Sequence, residues 1–211
     1  MAISLEQAWA EAPVVAIVRG VRPDEVVGVA EALCAEGVRI VEVPLNSPEP
    51  FDSLRRLVAA VGERMVCGSG TVLSPGDADA CADAGGRVCV SPNTDPAVIR
   101  RALERGMTPM PGWGSVTEAF TAYAAGARWL KLFPAASYGP GHLKQALAVL
   151  PKDAVHIAVG GVGAAQVADW RAAGVHGFGV GSELYKPGDT VDVVRGKAAM
   201  FMAALRAKPN G

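Results

Sequence analysis

Lys131 lies where a core residue belongs. It sits in the run Arg128-Trp129-Leu130-Lys131-Leu132-Phe133-Pro134, which is too short for a helix and is bounded by Gly126 and Pro134. Strand alternation puts Trp129, Lys131 and Phe133 on one face and Leu130 and Leu132 on the other. An ammonium taken out of water is disfavoured, so its pKa falls and a nucleophilic amine becomes available near neutral pH. Such an amine condenses with a ketone to a Schiff base. The alternative is a lysine that snorkels to water or pairs with a carboxylate. Glu42, in Ile40-Val41-Glu42-Val43-Pro44, is the second charge set in an apolar run. Burial raises a carboxyl pKa towards the range useful for general acid–base work, whereas a plain ion-pair partner would only neutralise Lys131 or Arg19. Arg19 ends an apolar run and carries the fork that clamps a carboxylate or phosphate, or else makes a rim salt bridge. Thr71, after Gly68-Ser69-Gly70, offers a hydroxyl to a substrate or simply ends a turn. Gly160-Gly161 and Gly181-Ser182 leave backbone N–H groups open to an anion, although close strand packing explains such glycines equally well.

These residues need elements to hold them, and one grammar repeats along the chain. After a short N-terminal helix at about 5–10, apolar runs occur at 14–19, 40–45, 65–71, 88–91, 108–111, 129–133, 156–160 and 177–181. Helical patterns follow at 24–36, 49–61, 75–84, 96–105, 116–125, 141–150, 164–173 and 191–208. Ser115 with Glu118 forms a capping-box signature, and Asp95 before Pro96 reads as an N-cap with proline in the first turn. Gly37, Gly85, Gly106, Gly126 and Gly174 each stand between a helix and a run, as left-handed C-caps do. Continuous apolar runs in series with helices predict a parallel sheet covered by helices, and eight such units close into a (β/α)8 TIM barrel of the α/β class, one domain over 1–211. An open doubly wound sheet is the runner-up. Against it, Val18-Arg19-Gly20-Val21 after the first run lacks the glycine-rich dinucleotide fingerprint. In a barrel, reactive residues gather at the C-terminal ends of the strands, where Arg19, Glu42, Thr71, Lys131, Gly160-Gly161 and Gly181-Ser182 all fall.

Composition narrows the partners. The chain has 211 residues, 50% hydrophobic, with a formal net charge of -1. A near-neutral balance gives no electrostatic footprint for nucleic acid or an anionic membrane. No apolar run approaches the length of a membrane span, and residues 1–10 lack the pattern of a secretory signal. Cys34, Cys67, Cys81 and Cys89 have no metal spacing and read as reduced thiols, consistent with a cytoplasmic location. His142, His156 and His176 are scattered, so no metal is expected.

The chain resembles the class I 2-keto-3-deoxy-6-phospho-sugar-acid aldolases over nearly its whole length. The carriers are Glu42 in 41–48 (Val-Glu-Val-Pro-Leu-Asn-Ser-Pro), Gly70-Thr71-Val72-Leu73, Ser91-Pro92-Asn93, Pro111-Gly112, Lys131 in Leu-Lys-Leu-Phe-Pro, and Val159-Gly160-Gly161-Val162. Ile17-Val18-Arg19-Gly20, Pro44-Leu45-Asn46-Ser47-Pro48 and Val159 look most like the branch acting on the galactonate epimer. The gluconate branch typically has an arginine near Asn46 and a threonine at Val159. Two departures from the family pattern are Ala135-Ala136 in place of serines and Trp113 in place of a smaller residue. The resemblance implies a cytoplasmic homotrimeric barrel that cleaves 2-dehydro-3-deoxy-6-phospho-D-galactonate to pyruvate and D-glyceraldehyde 3-phosphate. It implies Lys131 as the Schiff-base residue and Glu42 as acid/base. Arg19, Thr71, Val159, Gly160, Gly161, Val162, Gly181 and Ser182 would bind substrate, with neither metal nor cofactor, because the iminium replaces a Lewis acid. Alternatives are cleavage of the gluconate epimer or of 4-hydroxy-2-oxoglutarate, and a non-catalytic barrel that only binds a phosphosugar.

Overall fold

The computed structural model describes residues 2–207. Strands and helices alternate as α1 (Leu5–Glu11), β1 (Val14–Ile17), α2 (Val26–Ala35), β2 (Ile40–Pro44), α3 (Pro50–Val61), β3 (Val66–Gly70), α4 (Pro75–Asp83) and β4 (Val88–Val90). They continue as α5 (Pro96–Glu104), β5 (Thr108–Met110), β6 (Gly112–Trp113), α6 (Val116–Ala124), β7 (Trp129–Leu132) and α7 (Ala135–Ala146). The chain closes with β8 (Val155–Val159), a 3-10 turn (Ala164–Gln166), α8 (Val167–Ala172), β9 (Gly177–Val180) and α9 (Val191–Arg206). Every strand pairing is parallel, and the order β5-β4-β3-β2-β1-β9-β8-β7-β6 makes one nearly closed barrel.

The run expected at 108–111 gives β5, and a second short strand that was not expected, β6, follows it. Pro111 separates them; it has no N–H to give a ladder, yet its carbonyl accepts from the Lys131 amide at 2.9 Å. The segment therefore pairs with β4 through its first half and with β7 through its second. The other expected runs are present with ends shifted by one or two residues. The helix expected at 141–150 starts earlier, at Ala135, and is two helical pieces broken at Gly139, whose φ is +77°. Gly139-Pro140 reads as a stop in sequence, which is why the first piece was not anticipated. The last residue expected in α9, Lys208, lies outside the described residues.

Caps behave as their sequence signals say. Ser115 and Glu118 form the reciprocal capping box, Asp95 accepts from the Ala97 amide at 2.8 Å, and all five inter-element glycines have positive φ. The core has two parts, set by strand alternation. Leu130 and Leu132 join the layer between strands and helices. Trp129 and Phe133 face the barrel interior with Val15, Ile17, Ile40, Ile157 and Val159. Helix α1 covers the N-terminal end of that interior with Leu5 and Ala8, and its Trp9 packs edge-on against Trp129 at 4.8 Å. A Cβ at Gly177 would lie 2.5 Å from the Trp9 ring, so that strand position must be bare.

Candidate active site

Alternation on β2 sends Val41 and Val43 outward into the helix layer and leaves Glu42 on the inner face. The same rule on β7 places Lys131 inside with Ile157 and Val159. Both open on a cleft of about 780 Å³ at the C-terminal ends of the strands. Arg19 and Thr71 stand on the same cleft, after β1 and β3. Val159, Gly160, Gly161 and Val162 line it from the end of β8, and Gly181 and Ser182 from the end of β9. Ten residues singled out from separate parts of the sequence thus share one cavity.

The two central charges are buried, Glu42 2% and Lys131 7% exposed. Burial pushes the Glu42 carboxyl up, to about 7, against the opposing pull of Lys131 and Arg19. Burial lowers the Lys131 ammonium to about 8; Glu42 resists this and Arg19 adds to it. Among the described residues no hydrogen bond or ion pair joins the two side chains, and Glu42 Oε2 has no hydrogen-bond partner. Lys131 Nζ lies 4.7 Å from the centroid of the Phe133 ring. A purely structural pair would be bonded to repay its desolvation. This one is two unspent groups facing one cavity, a proton donor or acceptor beside an amine.

At the β1 and β2 ends, Arg19 Nη1 donates to Asn46 Oδ1 and approaches Thr71 Oγ1 at 3.4 Å. Thr71 has φ +58°, a left-handed conformation that a β-branched residue adopts only under constraint, and such strain gathers at working sites. Across the cleft, Gly160 and Gly161 have φ +96° and +72°. A Cβ at Gly161 would sit 2.6 Å from Ala136 Cβ, and the Ala136 amide donates to the Gly160 carbonyl at 2.9 Å. The small Ala135-Ala136 pair is therefore part of the turn's fit.

Sequence reading missed the inner-face glycines. A Cβ at Gly70 would lie 2.0 Å from Glu42 Oε2, and one at Gly68 would meet the Val88 carbonyl at 2.1 Å. On β9, a Cβ at Gly179 would lie 2.7 Å from Val159. The spacing of Gly68-x-Gly70 and Gly177-x-Gly179-x-Gly181 at every second residue was the available signal for a bare inner face. Glu183, Tyr185 and Lys186, which line the cleft from the β9–α9 loop, were not read as site residues either, and Asn46 was read only as a marker of epimer preference.

A parallel strand–helix barrel with a buried amine and carboxylate facing one cavity has the groups that a class I aldolase, a carbon–carbon lyase, requires. The chain is a member of the KDPG and KHG aldolase family, which matches residues 5–194. It is 46% identical over 201 residues to a probable 2-dehydro-3-deoxy-6-phosphogalactonate aldolase of Rhizobium meliloti, covering 95% of each chain. It is 45% identical to the 2-dehydro-3-deoxy-6-phosphogalactonate aldolase of Escherichia coli K12, covering 92% of this chain and 95% of that one. A solved native KDPGal structure superposes with TM-score 0.92 at 43% identity, covering 98% of both chains.

Gly70→Ala is expected to keep the secondary structure and push the Glu42 carboxylate out of place. A displacement of that kind lowers turnover by on the order of 10²-fold. Circular dichroism with kcat measured on the same preparation checks it; parental turnover would mean the carboxylate position is not critical.

Proposed function

We propose that the protein cleaves 2-dehydro-3-deoxy-6-phospho-D-galactonate to pyruvate and D-glyceraldehyde 3-phosphate through a Schiff base on Lys131. The observation that carries the reading is the buried, unbonded Lys131–Glu42 pair on the shared cleft. Similarity to the two galactonate-branch relatives supports the epimer. The Lys131 amine adds to the C2 ketone, and the carbinolamine loses water to give an iminium. Glu42, directly or through one water, supplies and removes those protons. It then takes the proton of the C4 hydroxyl as the C3–C4 bond breaks, and that electron pair moves into the enamine. Glyceraldehyde 3-phosphate leaves. The enamine gains a proton at C3, and water returns pyruvate and the free amine. The iminium is the electron sink, so the step calls for no metal or cofactor.

In this reading Arg19 and Thr71 hold the carboxylate end. Gly160, Gly161, Val162, Gly181 and Ser182 hold the phosphate end, and the extended substrate passes Val159 between them. In the same reading the barrel counts as eight strand–helix units, a (β/α)8 barrel, with β5 and β6 sharing one position on either side of Pro111. A homotrimer and a cytoplasmic location complete the proposal. No helix among the described residues is long and apolar enough to cross a membrane.

Both C4 epimers test the reading. Valine 159 (Val159) offers only methyl groups where a threonine would hydrogen-bond a hydroxyl of one configuration. A buried hydroxyl without its partner costs about 1–3 kcal/mol, a selectivity of roughly 5–150-fold. The parent is expected to favour the galactonate epimer, and Val159→Thr to raise relative kcat/KM on the gluconate epimer. A parent that prefers the gluconate epimer or 4-hydroxy-2-oxoglutarate would overturn the substrate. An unchanged ratio in the variant would move the discrimination to another residue of the cleft. A chain that binds both epimers and releases no pyruvate would be the non-catalytic barrel.

A further inference from the structure

Arg19 is exposed at the rim of the cleft, on a long side chain that has many rotamers in water. Its usefulness to an anionic substrate depends on where the guanidinium is held before binding. One residue does most of that holding. Arg19 Nη1 donates to Asn46 Oδ1, and Thr71 Oγ1 stands further away at 3.4 Å. Asn46 is itself on a fixed loop. The Leu45 amide donates to the Gly70 carbonyl at 2.8 Å, and the Ser47 amide closes a turn on the Pro44 carbonyl at 2.9 Å. The buried Ser47 hydroxyl accepts from the Gly20 amide at 2.9 Å, which ties the loop to the residue after Arg19.

The chemistry of the holder matters as much as its place. A carboxylate there would grip the guanidinium more firmly and also neutralise it. An amide carbonyl orients it and leaves the positive charge intact. No ion pair to Arg19 occurs among the described residues, whereas eight other arginines are paired with Asp or Glu. Surface arginines of this chain generally have a carboxylate partner; the one on the cleft has an asparagine.

We propose that Asn46 is a positioning residue for carboxylate recognition: its neutral side-chain carbonyl fixes the Arg19 guanidinium at the cleft and leaves its charge free for the carboxylate of the 2-keto acid. The inference rests on the aldolase reading above and goes beyond it in assigning how the carboxylate end is tuned.

The test uses borohydride trapping on the whole protein with two ketones, pyruvate and its uncharged ester methyl pyruvate, in the parent, Asn46→Ala and Asn46→Asp. Asn46 is exposed on a loop, and Asp is its near-isostere, so folding is not at stake. Hydrogen bonds to charged groups are worth enough to predict a shift of about tenfold or more in the pyruvate concentration for half-maximal trapping in Asn46→Asp. Asn46→Ala is expected to shift it less, because it loosens the cation without cancelling it. Methyl pyruvate trapping should stay close to parental in both. A parent that traps neither ketone would overturn the aldolase reading and this inference with it. A parent that traps both, with Asn46→Asp equal to it on pyruvate, would overturn only the role of Asn46. Equal losses on the acid and the ester would also overturn it, since a merely structural residue would affect both.

Discussion

Lys131→Met is expected to release no pyruvate above background and to form no adduct when pyruvate and borohydride are added together. The parent is expected to gain one pyruvate-derived mass, mapped by peptide analysis to Lys131. In the proposed mechanism the amine is the covalent catalyst itself, so no other group on the cleft substitutes for it. Lys186 also lines the cleft, but it is exposed on the β9–α9 loop, and Lys144 is exposed on α7. An adduct on either, or none in the parent, would remove Lys131 from the mechanism. The same variant has a second readout. Burial depresses the folded-state pKa of Lys131 from 10.5 to about 8, so the folded state disfavours the charged form. The lysine is therefore a burden on stability below pH 8, and that burden fades as the pH rises to its unfolded value. Methionine fills the same inner-face position without a charge. Losing Lys131 also removes the charge that opposes the burial of Glu42, so any gain in melting temperature over the parent should be largest at low pH, where Glu42 is protonated, and should shrink as the pH rises. A lower melting temperature at low pH would mean that Lys131 stabilises the fold through its charge.

Glu42→Gln is expected to keep the fold and much of the pyruvate binding and to lose turnover by ~10²–10⁴-fold, the usual contribution of a general acid–base group. Glutamine fills the same pocket against Gly70 and cannot exchange a proton. The substitution also has a signed electrostatic consequence. The Glu42 charge raises the Lys131 pKa, so its removal should move the pH midpoint of Lys131 trapping below that of the parent. Turnover within a few-fold of the parent would make Glu42 a structural neighbour of Lys131. A midpoint that moved upward would contradict the electrostatic coupling of the pair.

The catalytic candidates were legible because each broke a local rule. A lysine between Leu130 and Leu132, and a glutamate between Val41 and Val43, are conspicuous in runs that must otherwise be buried. The caps were legible for the same reason: Ser115 with Glu118, and Asp95 before Pro96, act within one turn and carry their partners with them. The misread helix at 141–150 shows the limit of local signals. Gly139 does break the helix, but the chain resumes helical geometry on both sides of it, because Ala135 and Leu143 are buried in the helix layer.

The sequence alone, then, determined the alternation of strands and helices, the face that Lys131 shares with Trp129 and Phe133, and the order of the residues around the strand ends. Those properties follow from periodicity and short-range hydrogen bonding, which neighbours in the chain decide. Only the tertiary structure decided what the residues meet. That Gly70 must be bare to seat Glu42, that Asn46 holds Arg19 across 27 positions of chain, and that Pro111 stands between two short strands with different partners all depend on strand register. Register is a relation between segments far apart in sequence. It is fixed by packing the whole inner face at once, and no single segment carries it.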